Sequence, residues 1–189
     1  ICKEYPYMIT RISDDRYIIK MENEKPYGMG VFIDIYPYDG LGTTEKEAVT
    51  YGMKGDRLSS LCYQSTREHF AIETTTSLFR KIIKYPVFIG SKLIGKDYFQ
   101  KKLNQLVKLK EYEDSNYIGC VVWLSGGKKE IFLRKWFDET VMVPFEKYQF
   151  RVPKDYDEVL RHTYGDYMQL PPEKDRIGHH YFKAYRKDE

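Results

Sequence analysis

The sequence is poor in cysteine, in long apolar runs and in concentrated charge of either sign. Its three cysteines, Cys2, Cys62 and Cys120, are odd in number and far apart. No Cys-x-x-Cys pair and no Cys/His metal spacing occurs, which sets aside a disulfide framework and a zinc site and favours a reducing compartment. No stretch approaches the roughly 18 apolar residues of a membrane helix, and no signal peptide is recognisable, so a membrane-spanning protein is not expected. The formal charge is +3, with the bases scattered along the chain. A dense basic stripe is lacking, which argues against nucleic acid as the main partner. The phosphate-loop spacing Gly-x4-Gly-Lys-Ser/Thr and the nucleophile elbow are absent too, and with them two common catalytic plans.

What remains is an ordinary globular composition with an excess of aromatics, 18 Tyr and 10 Phe in 189 residues. Tyrosine combines an apolar body with a polar tip, and such an excess suits amphipathic clefts. The length favours one domain over 1–189. The start, at Ile1 rather than Met, suggests a fragment of a longer protein.

The pattern along the chain is that of an α+β protein. PYMITRI (Pro6 to Ile12) and RYIIKM (Arg16 to Met21) read as strands of a hairpin turned by Ser13-Asp14-Asp15. In MGVFIDIYPYDG, Val31, Ile33 and Ile35 share one face and Phe32, Asp34 and Tyr36 the other, while Asp39-Gly40 reads as a turn. Thr44 suits the N-cap of a helix running toward Phe70, with a break at Gly52 and Gly55. A second helix should stop near Pro86. A third, Gly95 to Asp114, carries apolar residues at 99, 103, 106 and 109. NYIGCVVWL reads as a buried strand, IFLRKWF as a short helix, and ETVMVPFEKYQFRVP as two strands around Glu146-Lys147. A last helix should start near Asp155 and end at Gly165.

Asp34 is the first candidate for chemistry. A carboxylate between Ile33 and Ile35 is costly to bury unless it is paired, at a strand end, or holding a cation. Magnesium commonly takes one or two carboxylates plus substrate phosphates, and Asp39 is either a second acid for such a site or a turn residue. Ser125 to Lys129, SGGKK, reads more readily as a turn than as a phosphate loop. Lys128, Lys129, Arg134 and Lys135 form either an anionic-ligand patch or a solvated face. Neighbouring His179 and His180 point to acid/base work or a phosphate contact rather than to a transition metal.

Two stretches carry a family resemblance. GVFIDIYPYDG (Gly30 to Gly40) and YGDYMQLPPEKDRIGHH (Tyr164 to His180) resemble the LicD family of phosphocholine transferases, related to the fukutin-type transferases. VPFEKYQFRVPKDYDEVLRHTYGDYM, between them, and KEYPYMITRI follow the same pattern. The resemblance implies a nucleotidyltransferase-like mixed sheet with a helical insert and a C-terminal helical region. It implies transfer of phosphocholine, or a related phospho-alcohol, from a CDP-activated donor such as CDP-choline. The acceptor would be a cell-surface glycan, a teichoic acid or a lipopolysaccharide precursor, with Mg2+ or Mn2+ as cofactor. Asp34 would act as catalytic residue and metal ligand, with Asp39 as a second metal ligand. Tyr164, Asp166, Arg176, His179 and His180 would contact substrate, although the Tyr-Gly-Asp-Tyr-Met run also reads as a structural closure. A cytoplasmic protein, peripheral at the inner membrane face, is implied.

The family's earlier acidic strand, of the type Trp-Asp-Asp-Asp-Ile-Asp, has no counterpart here, since Asp14-Asp15 lies in a turn. This chain alone is therefore expected to be inactive. The other reading is a non-catalytic glycan- or nucleotide-binding module of the same fold.

Overall fold

Among the described residues, nine short strands and four helices follow one another along the chain, and the α+β class follows directly from them. The computed structural model describes residues 5–21, 23, 25, 27–70, 78–124, 127–173, 176 and 182–187. The elements are β1 (Thr10–Ser13), β2 (Tyr17–Met21), β3 (Phe32–Ile35), β4 (Asp39–Gly42), α1 (Glu45–Thr66), α2 (Leu78–Ile94) and α3 (Lys96–Val107). They continue with β5 (Tyr117–Gly119), β6 (Phe132–Leu133), β7 (Thr140–Phe145), β8 (Tyr148–Pro153), α4 (Tyr156–Tyr164) and β9 (Phe182–Arg186). Two single 3-10 turns, Gly127–Glu130 and Arg134–Phe137, flank β6. The chain forms two compact units, Ile1–Tyr36 with Arg57–Gln105 and Gly178–Glu189, and Pro37–Asp56 with Leu106–Ile177. All strand pairs among the described residues are antiparallel, in sheets of two or three strands.

In the first unit, β1 and β2 form as expected but do not pair with each other. β1 pairs with β3, and β2 pairs with β9. The segment before β3 takes the bonds a hairpin would have used. Val31 accepts from the Asp14 N–H at 2.7 Å, and Met29 accepts from the Ile19 N–H at 3.1 Å. Gly30 permits this approach, because a Cβ there would sit 1.9 Å from the Asp14 carbonyl oxygen. Ile9, Ile19, Cys62, Phe88, Phe99 and Leu103 are this unit's buried apolar residues.

The helices depart from expectation in three places. α1 is continuous through Gly52 and Gly55, where a break was expected. A Cβ on Gly52 would meet the Leu124 side chain at 2.6 Å, and one on Gly55 the Val121 carbonyl oxygen at 2.2 Å. These glycines serve close packing and leave the helix intact. α2 runs on through Pro86 to Ile94. α3 buries Phe99, Leu103 and Leu106 as expected, but it ends at Val107 and leaves Leu109 exposed.

In the second unit, Asp39-Gly40 opens strand β4 where a turn was expected. Gly40 is pressed against Glu111 and Ser115, with its would-be Cβ 2.4 Å from both the Glu111 carbonyl and the Ser115 hydroxyl oxygen. β4, β5 and β6 form a three-stranded sheet in that order. The expected strand Asn116 to Leu124 narrows to β5, and the buried run beyond it turns back, with the Trp123 N–H on the Cys120 carbonyl at 3.0 Å. The expected helix IFLRKWF is instead β6 followed by a 3-10 turn. β7 and β8 form the expected hairpin around Glu146, whose φ of 54° gives the turn its left-handed residue. Thr44 caps α1, its hydroxyl accepting from the Glu47 N–H at 3.3 Å.

Gly55→Ala should destabilise the protein by about 1–3 kcal/mol, because the added methyl forces backbone apart from backbone. Gly90→Ala in α2, where the methyl meets nothing within 4 Å, should be neutral or stabilising by up to about 1 kcal/mol. Urea unfolding of the two variants checks the contrast.

Candidate functional site

A cavity of about 390 Å³ opens in the second unit. The first turns of α1 bring Glu45 and Val49 to it, β5 brings Tyr117, and β6 with the following turn brings Leu133 and Trp136. Lys128 and Lys129 come from the 3-10 turn before β6, and His162 from α4. α4 is tied to the lysine turn by His162, whose Nε2 lies 3.1 Å from the Lys128 carbonyl, while the Thr163 hydroxyl donates to the Val159 carbonyl of its own helix at 2.9 Å and lies 3.4 Å from the Lys129 carbonyl. A carbonyl only accepts, so this contact assigns the proton to Nε2. The His162 ring stands edge-on to Trp136 and Phe132, with centroids 5.6 and 5.7 Å away.

The lining therefore combines aromatic faces, one carboxylate and two ammonium groups around apolar Val49, Ile131 and Leu133. An aromatic wall with a carboxylate suits an organic cation. Two lysines suit a phosphate. Lys128 and Lys129, left open between a ligand patch and a solvated face, thus reach the cavity. Arg134 does not serve it in the same way: its Nε donates to the Ser115 carbonyl at 2.9 Å, and Nη1 pairs with Asp138 at 3.2 Å. Glu45, Tyr117, Trp136 and His162 escaped the sequence reading, because they come from four separate elements. The aromatic excess is the sole signal for Tyr117 and Trp136, and nothing in the sequence marks Glu45 or His162.

Asp39 lies at the start of β4, opposite Gly119. Its Oδ2 is buried without a hydrogen-bond partner among the described residues, and burial raises its pKa to about 6, partly offset by the Val121 N–H. Asp39 in turn pushes up the nearby Tyr51 and Cys120, each already raised by burial, with the Cys120 thiol at about 12. Cys120 is thus the inert buried residue that its place in an apolar run suggested.

Asp34, in the first unit, is paired. Arg11 Nε and Nη2 donate to its two carboxylate oxygens at 2.5 and 3.0 Å. The guanidinium lies 3.5 Å from the Phe32 ring centroid, with Tyr5 and Tyr7 beyond. Burial alone would lower the Arg11 pKa, but Asp34 and the two tyrosines outweigh it and raise it. Of the three circumstances that justify a carboxylate between isoleucines, the structure shows the ion pair.

The C-terminal segment folds back on itself. Gly165, at φ 72°, ends α4 with its N–H on the Arg161 carbonyl at 2.8 Å. Tyr167 donates to Asp157 at 2.6 Å, closing the segment onto the first turn of α4. Tyr164 is exposed, Asp166 accepts from Gln169 at 2.6 Å, and Arg176 donates to the Pro171 carbonyl at 2.8 Å. His179 and His180 lie outside the described residues.

Over 187 residues, 98% of its length, the chain is 30% identical to the lipopolysaccharide cholinephosphotransferase LicD of Haemophilus influenzae, of which the match covers 67%. The chain belongs to the LicD family. No protein-family model and no solved structure matches it. Membership carries choline phosphotransferase kinship to the whole chain, including the stretch Thr43 to Asn116, where the sequence offered no recognisable motif. In this LicD chain that stretch supplies Glu45 and Val49 to the cavity.

Two predictions separate the aspartates. Asp34→Asn leaves Arg11 without its counter-charge and should cost about 2–4 kcal/mol in urea unfolding. If magnesium raises the melting temperature of the unmutated chain but not of Asp34→Asn, Asp34 holds the metal instead. For Asp39, the folded state keeps a proton that the unfolded chain has released, so this group's contribution to stability falls as pH rises from about 4 to about 6. Asp39→Asn should therefore melt a few degrees higher than the unmutated chain above pH 6 and equally near pH 4, as read by calorimetry.

Proposed function

We propose that this chain provides the phosphocholine-binding part of a transferase. That transferase moves phosphocholine from a CDP-activated donor to a hydroxyl of a lipopolysaccharide or teichoic acid precursor. The observation that carries the reading is the cavity, in which Trp136, Tyr117 and Glu45 meet Lys128 and Lys129. Phosphocholine has matching halves: a trimethylammonium for the aromatic faces and the carboxylate, and a phosphate for the lysines. The relative's activity, cholinephosphotransfer to lipopolysaccharide, concerns the same group.

In the transfer, the acceptor oxygen bonds to phosphorus as the bridging bond to CMP breaks. The chain's part is to hold the donor for in-line attack, with Trp136 and Tyr117 bounding the choline and the lysines countering phosphate charge. His162 keeps the lysine turn in place through the Lys128 carbonyl.

Mg2+ or Mn2+ is the cofactor of this proposal. Among the described residues no three acidic, His or Cys side chains converge on a metal position. The unpartnered Oδ2 of Asp39 fits a single hard oxygen ligand, and donor phosphates and water complete such shells elsewhere. When bound, the ion would neutralise phosphate charge.

Calorimetric titration with phosphocholine tests the reading. Trp136→Ala should weaken binding about tenfold, the worth of one cation–π contact. Lys128→Ala/Lys129→Ala should weaken phosphocholine but leave choline unchanged. Absence of phosphocholine binding, or equal binding of ribitol or glycerol phosphate, would overturn the choline assignment. Turnover of CDP-choline by this chain would overturn its inactivity. Phosphocholine binding that persists in a protein extended to the relative's length, still without turnover, would favour the binding-module reading.

A further inference from the structure

Helix α2 is built inside out. An ordinary surface helix packs its apolar stripe and shows water its charges. In α2 the buried positions are Phe88 and Ser91. At 100° per residue, the charged side chains of Lys81, Lys84 and Lys92 fall on that packed side or at its margins. The remaining arc of about 200° is apolar throughout. It holds Ile82, Ile83, Val87, Ile89, Leu93 and Ile94, all exposed, with Leu93 at 84% and Ile82 at 63%. Tyr85, also half-exposed, stands at its edge against Phe70. The helix contains four bases and no acid.

We propose that α2 docks the protein on an anionic lipid surface, lying in the plane of the headgroup–acyl boundary. The broad apolar arc supplies the buried area, and Lys81 and Lys92, on the side of its Tyr85 edge, reach anionic headgroups while their stems stay apolar. The helix is about 25 Å long. No helix among the described residues is long and apolar enough to cross a bilayer, so α2 lies on the surface. A second copy is the poorer occupant, because pairing two α2 faces crowds like charges at the rim. The inference stands on the geometry of α2 and is independent of the transfer chemistry.

The test is co-sedimentation of the full 189-residue chain with vesicles of phosphatidylcholine alone or with phosphatidylglycerol added. We expect binding at least about tenfold stronger to the anionic vesicles, weakened in about 0.5 M salt. Ile82→Glu/Leu93→Glu should lose that binding with its thermal melt and phosphocholine titration unchanged. If that variant does not fold, Leu93→Gln should weaken the binding severalfold. Lys81→Glu/Lys92→Glu should lose the preference for anionic lipid. Failure of the unmutated chain to sediment with anionic vesicles would overturn the proposal, as would full binding by a folded Leu93 variant. Light scattering that shows a dimer dissociated by Leu93→Glu would assign the face to a second copy instead.

Discussion

The second unit depends on how closely backbone approaches backbone along one face of α1. Glu45, Ala48, Val49, Gly52 and Gly55 follow helical spacing on that face. The two glycines admit Leu124 and the Val121 carbonyl where any side chain would collide. Buried Leu41, Ile118, Val121 and Leu124 complete the packing. Because the glycine end of the face is pinned, the Glu45–Val49 end is held in position, and those two residues line the cavity. Thr44 and Glu47 secure the same end. The Glu47 carboxylate accepts from the Thr43 N–H at 3.0 Å and pairs with Lys110.

Two aspartates five residues apart show how neighbours decide the state of a carboxylate. Asp34 is met by a guanidinium on both oxygens and lies among aromatic rings, an arrangement that offsets the cost of burying either charge. Asp39 meets one backbone N–H and no cation, so its neutral form is favoured to about pH 6. Asp34 has its counter-charge in Arg11, and Asp39 has none among the described residues.

Several described residues of the long C-terminal motif that resembles the family hold local structure. Gly165 closes α4, and Tyr167 returns to Asp157 at the other end of the same helix. α4 in turn steadies the lysine turn through His162. A motif can thus be diagnostic of a family while several of its described residues bond within their own helix and turn. The residues that face the cavity are scattered singly through weaker sequence.

By itself the sequence determined the α+β class, the strands β1, β2, β3, β7 and β8, the capped start of α1, the glycine end of α4 and the family. Each of these rests on local periodicity, turn chemistry or a contiguous motif, which a linear reading can see. The tertiary structure alone decided which strands pair, since Met29–Val31 takes the bonds of β1 and β2 that a hairpin would have used. It also decided that Gly52 and Gly55 are contact points, that Asp34 has Arg11, and that Glu45, Tyr117, Lys128 and Trp136 share a cavity. Partner choice and cavity lining depend on residues far apart in the chain meeting at ångström distances. No spacing within a single segment encodes those meetings.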